Sequence, residues 1–457
     1  MSSRWAVWRA DVARIVPIAW PVFVGQLAVF LFTTIDTVLV GRYAASDLAA
    51  FAVGASAYIT VFIGLMGVVL AIGPIVGQLF GAERLEAAGE QLHQAVWVAL
   101  GLSLLGSALL AFPAPFLWLA QASPEMAAKV RGYLLALAFS LPAALLFTAY
   151  RGFNVAVSRP KAVMVLQLGG LALKVPLSAA LVFGAGPLPA LGVVGCGVAT
   201  CIAMWAQALI AWQVVRRDPF YAGFRIGGRG LSAPDWRAIG AQLRLGVPMG
   251  LSVAIEVTGF VFMAFFIARV SETAVAGHQV ATNVVATLFM LSMALANGTS
   301  TLVAQRIGAG DLADARRLGW HGLEFTALLA LVLGCTVFAL RAPIARLYTG
   351  DAAVIAAALP LLAWVALFHL FDAVQITAAF VLRAWRVATV PVLIYAASVW
   401  GVGLGGGYVL GFNTTGTVPA SMQGAPGYWL ASTAGLALAG IALTLFLRWF
   451  TARQCRP

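Results

Sequence analysis

Apolar runs long enough to cross a bilayer recur along the whole of this chain. A helix needs about 20 apolar residues to span the hydrocarbon core. Only 10% of the 457 residues are charged and 62% are hydrophobic, whereas a soluble domain carries roughly 25% charged residues. The runs predict an all-α integral membrane protein of about twelve transmembrane helices, near residues 14–40, 48–73, 91–112, 130–150, 162–183, 190–215, 241–268, 276–300, 320–340, 352–382, 388–410 and 427–449.

Lys and Arg residues are distributed unevenly between the predicted loops. If the N-terminus faces the cytoplasm, most of the 28 basic residues fall on that side, and cytoplasmic loops are the ones enriched in Lys and Arg. We therefore expect both termini to be cytoplasmic. The net charge of +12 then reflects this topology and not nucleic-acid binding. We expect the lipid bilayer as the surrounding partner and a monomer as the state of the protein.

The sequence repeats itself at an offset of 227 residues, which pairs "VGQLFGAERLEAA" with "VAQRIGAGDLADA" and Pro21 with Pro248. Each copy holds six spans, so both copies keep the same orientation and the pseudo-twofold axis runs along the membrane normal. We predict two six-helix lobes, 1–215 and 238–457, joined by a basic cytoplasmic linker, 216–237.

Asp36, Glu256 and Asp372 are acidic residues inside predicted spans, and none of these three is repeated in the other copy. At about 1.5 Å of rise per residue, Glu256 and Asp372 lie near the middle of the membrane. Asp36 lies nearer the outer face, at a depth close to that of Lys174 in the fifth span. Ionisable residues at such depths are costly, and they mark ion pairs or functional sites.

The simplest explanation for a buried acid is a structural ion pair between helices. That explanation fits Asp36 with Lys174, and such a pair would leave Asp36 unable to act as a free ion ligand. It fits Glu256 and Asp372 poorly, because no basic residue is expected inside the spans of the second lobe. We therefore predict that these two acids bind a movable proton or cation.

Five segments together resemble the multidrug and toxic compound extrusion (MATE) transporters, in their NorM-like bacterial branch: "IDTVLVGR", "VGQLFGA", "VAQRIGAG", "AGHQVATNV" and "VLRAW". The resemblance covers nearly the whole chain. It implies a V-shaped cleft between two six-helix lobes in the bacterial inner membrane. It also implies export of organic cations and amphipathic drugs, coupled to inward flow of Na⁺ or H⁺. Asp36 resembles the family's first-helix acid, and Glu256 with Asp372 resembles its second-lobe acid pair. The resemblance implies that these three acids bind the coupling ion and the cationic substrate.

The chain departs from the family pattern beside these acids. Lys174 and Ser178 stand where the family usually has Asn, and Phe368 stands where NorM-like members often have Tyr. A Na⁺ ion bound at Glu256 and Asp372 would therefore lack one oxygen ligand. A carboxyl group in an apolar site favours its protonated form, so we expect H⁺ rather than Na⁺ as the coupling ion, with no other cofactor or metal.

The remaining polar residues of the spans are assigned by position. We expect Thr200 to join the polar partners of the first lobe, and Gln26, Asn283 and Gln375 to line the cavity.

An integral-membrane enzyme would need a nucleophile–base pair or metal ligands at membrane depth, and a channel would need a continuous polar path. The predicted function is secondary antiport of drugs. The alternative is a lipid-precursor flippase of the same wider superfamily, for which one intramembrane Lys would have to receive an anionic headgroup.

Overall fold

A computed structural model describes residues 2–119, 121, 123–186, 189–227 and 230–454, and this part of the chain is helical with no β-strand. The predicted all-α class is confirmed. Positions 228 and 229 of the predicted linker and 455–457 of the predicted second lobe lie outside the described residues. The α-helices in chain order are α1 (Ser2–Tyr43), α2 (Ala45–Val69), α3 (Ile72–Gly81), α4 (Leu85–Ala111), α5 (Ala114–Leu119), α6 (Pro124–Ala156), α7 (Pro160–Phe183), α8 (Val193–Arg217), α9 (Trp236–Ala268), α10 (Glu272–Gly308), α11 (Leu312–Ala339), α12 (Arg341–Tyr348), α13 (Ala352–Ala384), α14 (Thr389–Ala396), α15 (Gly406–Gly411) and α16 (Ala425–Gln454).

The described residues contain 12 helical segments that are long and apolar enough to cross a membrane, as predicted. Most of them run past the predicted limits, because polar end turns lie beyond the apolar stretch and give no hydropathy signal. The second span is interrupted between α2 and α3. The eleventh span consists of α14, a π-helical segment (Ala397–Gly405) and α15. The sequence therefore predicted the number and order of the spans but not their ends or breaks.

The helices pack as two units. The N unit comprises residues 24–250, and the C unit comprises the described parts of 1–23 and 251–457. Both boundaries fall inside helices, within α1 and within α9. The predicted lobes, 1–215 and 238–457, place those boundaries in loops instead. The start of α1 therefore packs with helices of the C unit, and the linker with the first half of α9 packs with helices of the N unit.

The N unit is built around α6, which packs against α2, α4 and α8. The linker is attached to the end of this helix. Tyr221 Oη donates to Asn154 Oδ1 at 2.5 Å, and Arg159 Nη1 lies 2.6 Å from Asp218 Oδ2. Asp218 accepts hydrogen bonds from a backbone N–H and from Arg159, which together hold its pKa below the ordinary value. These contacts bind the first part of the linker to the N unit.

The C unit is built around α13, which packs against α10, α11 and α16. Charged side chains bind the start of α1 to this unit. Asp11 is only 2% exposed; its carboxylate lies 2.7 Å from His321 Nδ1 and 3.0 Å from Arg317 Nε. Arg14 reaches Asp314 at 3.4 Å. A buried carboxylate needs such partners, so the charges explain why the first turns of α1 belong to the C unit.

The contact between α2 and α9 in the N unit depends on glycine. A Cβ atom at Gly67 would lie 2.7 Å from Gly250 Cα, whereas a Cβ at Gly64, on the same helix, meets nothing within 4 Å. We predict that Gly67→Ala lowers the melting temperature of the purified protein because the two backbones must separate. Gly64→Ala should hold or raise it, since Ala favours a helix by about 1 kcal/mol over Gly. Equal melting temperatures for the two variants would contradict the contact.

Candidate functional site

The C unit contains a cavity of about 330 Å³. Its wall is formed by α9, α10, α13, α14, the π-helical segment and α16, and most of its lining side chains are apolar. A Cβ at Gly435 would lie 2.6 Å from Ser398 O, so glycine allows α16 to pack closely on the π-helical segment. The lining residues are Glu256, Val257, Gly259, Phe260, Val261, Met263, Thr282, Val285, Ala286, Phe289, Phe368, Asp372, Tyr395, Val399, Gly403, Leu404, Ser432 and Leu436.

Glu256 and Asp372 share this cavity. Glu256 projects from α9 and is partly buried, and Asp372 projects from α13 and is 4% exposed. Neither carboxylate makes a hydrogen bond or a close ion pair within the described part of the chain. The structure thus brings together two acids that are 116 positions apart in the sequence. An apolar cavity with two unpaired carboxylates is suited to binding a proton or a cation.

One expectation about this acid pair was wrong. The sequence predicted no basic residue inside the spans of the second lobe, but Arg383 belongs to the last turn of α13 and is 9% exposed. Its guanidinium lies within electrostatic range of Glu256 without forming an ion pair within 4 Å. The error arose because α13 continues beyond the apolar run that ended at residue 382, and the additional turn is buried.

The cavity supplies hydroxyl groups that the sequence did not predict. The side chain of Phe368 has no oxygen atom. Its ring packs against the rings of Phe260 and Trp429, at centroid-to-centroid distances of 6.0 and 5.4 Å. Hydroxyl groups reach the cavity instead from three other helices, on the residues Thr282, Tyr395 and Ser432. No local sequence signal identifies them, because each belongs to a span whose neighbours are known only from the fold.

Asp36 and Lys174 form the predicted ion pair in the N unit. Lys174 Nζ donates to Asp36 Oδ2 at 2.6 Å, and each residue is 3% exposed. Ser178 Oγ donates to the other carboxylate oxygen at 3.2 Å, and the ammonium also donates to Phe32 O at 3.3 Å. The pair joins α1 to α7, and it satisfies both charges inside the N unit.

Among the described residues, the other four predicted site residues form no hydrogen bond with the acids. Thr200 Oγ1 donates to Cys196 O in its own helix at 2.9 Å, and the Asn283 amide likewise donates to Gln279 O at 2.9 Å. Gln375 is buried on α13. Gln26, in the N unit, has a buried Oε1 atom without a hydrogen-bond partner among the described residues. Neither Asn283 nor Gln375 lines the C-unit cavity.

The described residues contain no cluster of three or more His, Cys, Asp or Glu side chains arranged to hold a metal ion. His278 is occupied by other contacts. Trp429 Nε1 donates to its Nδ1 atom at 3.2 Å, and Thr282 Oγ1 lies 3.5 Å from its Nε2 atom. The titratable groups that face the cavity directly are therefore the two acids and Tyr395.

Comparison with known proteins gives consistent matches. A family model described as MatE matches residues 21–180 and again 248–409, and the two matches begin at the repeated Pro21 and Pro248. A probable multidrug resistance protein NorM of Aromatoleum aromaticum is 40% identical over 430 residues, covering 94% of this chain and 92% of that protein. Its namesake in Chromobacterium violaceum is 37% identical over 439 residues, covering 96% and 94%. The crystal structure of the eukaryotic MATE transporter AtDTX14 has a TM-score of 0.86 at 18% identity and covers 98% of both chains, which shows a shared fold.

The Asp36–Lys174 pair yields a prediction about stability. Removing one partner of a buried ion pair leaves an unpaired charge, which typically costs about 3–5 kcal/mol. We predict that Lys174→Met and Asp36→Asn each lower the melting temperature of the purified protein, and that the double variant recovers part of the loss. Lys161→Met, on the first turn of the same helix, is the matched control. Additive losses in the double variant would contradict the pair.

Proposed function

Since the chain belongs to the MatE family, as the sequence resemblance predicted, we propose that it is a secondary active multidrug transporter. It exports organic cations and amphipathic drugs in exchange for an inward-moving ion, and it is not an enzyme. The relatives named multidrug resistance proteins support this proposal. The single observation that carries it is the apolar cavity with two unpaired carboxylates, Glu256 and Asp372.

Coupling follows from competition for these two acids. A proton or small cation from one side of the membrane and a cationic drug from the other cannot both neutralise the same carboxylates. A ligand shifts a conformational equilibrium only through its different affinity for the two states. We propose that the ion and the drug also prefer different arrangements of the protein, so that their alternate binding drives exchange without a further component.

The dimensions and lining of the cavity favour small organic cations. Its volume of about 330 Å³ is near the lower end of the range for sites that bind drug-sized molecules. The side chains of Phe260, Phe289 and Phe368 contribute to the wall, and aromatic rings can attract cations. We propose that a compact monocation with an apolar body binds here, with its charge beside the carboxylates.

We propose H⁺ rather than Na⁺ as the coupling ion. Two ionised carboxylates in one apolar cavity repel each other and are poorly solvated, and a single proton relieves both effects. Asp36 is not available for a second ion, because Lys174 already neutralises it. The cavity acids then carry the coupling alone.

We propose a monomer in the bacterial inner membrane, which the bacterial relatives support, with both termini in the cytoplasm, which the distribution of Lys and Arg supports. Reporter fusions after Gly227 and after the last helix should report a cytoplasmic location. A fusion in the uncharged segment 411–424 should report a periplasmic one. A periplasmic signal at Gly227 would contradict this topology.

The flippase alternative receives little support. An anionic lipid headgroup would need a cationic cavity, whereas the cavity of the C unit is lined by two acids and by no Lys or Arg. The buried Lys174 is already paired with Asp36.

The proposal predicts proton-driven export that depends on the cavity acids. Purified protein in liposomes should export ethidium, a fluorescent organic cation, under an imposed pH gradient without sodium. Glu256→Gln and Asp372→Asn should each reduce this export to background. Their melting temperatures should hold, because neutralising an unpaired buried acid removes an unfavourable burial term.

Glu272→Gln is the control, since Glu272 is exposed in the first turn of α10 and lies outside the cavity. Export at the wild-type rate by a folded Glu256→Gln/Asp372→Asn variant would disprove the site. Export that requires a sodium gradient at matched pH would disprove the choice of proton.

A further inference from the structure

Tyr395 is a buried phenol whose hydroxyl group has no hydrogen-bond partner among the described residues. The residue is 4% exposed and lines the same cavity as Glu256 and Asp372. A buried tyrosine hydroxyl usually finds a partner. Tyr395 lies in the last turn of α14, which directly precedes the π-helical segment. π-helical turns are rare in proteins overall, and those that occur are often found at functional sites.

The groups around Tyr395 limit what this hydroxyl can bind. Glu256 on α9, and Asp372 and Arg383 on α13, lie within electrostatic range of the phenol. On α10, His278 already accepts from Trp429, and on α16 the hydroxyl of Ser432 is directed to a methionine sulfur at 3.6 Å. The charged acceptors available to a phenolic O–H in the cavity are therefore the two carboxylates.

We propose that Tyr395 is a specificity-determining residue of the ion site, whose hydroxyl donates to whichever carboxylate of the Glu256–Asp372 pair has released its proton. Phe368 faces the same cavity without an oxygen atom. This inference rests on the proposed function, because it concerns how readily the acid pair exchanges a proton for a drug.

The hydrogen bond would change the pH at which the two acids release their proton. A hydrogen bond to a carboxylate favours the charged form, and bonds to charged groups are stronger than those between neutral ones. With the hydroxyl present, a cationic drug displaces the proton more easily. Without it, the carboxyl groups retain the proton to higher pH, and drug binding is weakened at a given pH.

The test is the pH dependence of ethidium binding to the purified full-length protein. We expect Tyr395→Phe to raise the pH of half-maximal binding by about one unit, a tenfold change in proton affinity. The melting temperature should change little, because the substitution removes one oxygen atom and no packing. The double variant Tyr395→Phe/Phe368→Tyr, which returns a hydroxyl to the cavity from α13, should bind with the wild-type profile.

Tyr408→Phe is the matched control, because Tyr408 lies in the same span but outside the cavity. An unchanged profile for Tyr395→Phe, an equal shift for Tyr408→Phe, or a double variant that behaves like Tyr395→Phe would each overturn the inference. A wild-type protein that neither binds nor exports ethidium would instead overturn the proposed function.

Discussion

A carboxylate inside a membrane protein needs a compensating charge, and the two units of this chain meet that need differently. In the N unit, the ammonium of Lys174 lies 2.6 Å from Asp36, and Ser178 completes the contact. In the C unit, no basic group forms an ion pair with Glu256 or Asp372 within the described residues. Lys174 of the chain itself neutralises Asp36, whereas we propose that a bound proton or cation neutralises Glu256 and Asp372. The proposed transport cycle depends on this difference.

The repeated scaffold explains how one chain contains both arrangements. Each copy supplies the same order of spans, and the family model matches each copy separately. The acids are not repeated, so similar helices surround a satisfied ion pair in one unit and an open cavity in the other. The charged cluster around Asp11 and the linker contacts of Tyr221 then fix which helix segments belong to each unit.

The sequence predicted the features that depend on one helix or on depth alone. Runs of apolar residues gave the number of spans, and counting residues from the span ends placed Asp36 beside Lys174. Features that depend on three-dimensional packing were not predictable. Tyr395 and Ser432 share a cavity with the acids only because the fold brings α14 and α16 to the same cavity as α9 and α13. The break between α2 and α3 leaves no gap in hydropathy. The sequence placed Arg383 outside its span because the apolar run ends at the charged residue. The helix nevertheless continues, and its buried final turn carries this charge.

The central claim is that drug and proton compete for Glu256 and Asp372. Calorimetry of ethidium binding in buffers with different ionisation enthalpies measures it directly, because protons released by the protein are taken up by the buffer. We predict release of about one proton per bound ethidium near the pH at which binding is half-maximal, and no release in the Glu256→Gln/Asp372→Asn variant. Ethidium binding that releases no proton and has the same affinity at every pH would contradict the account.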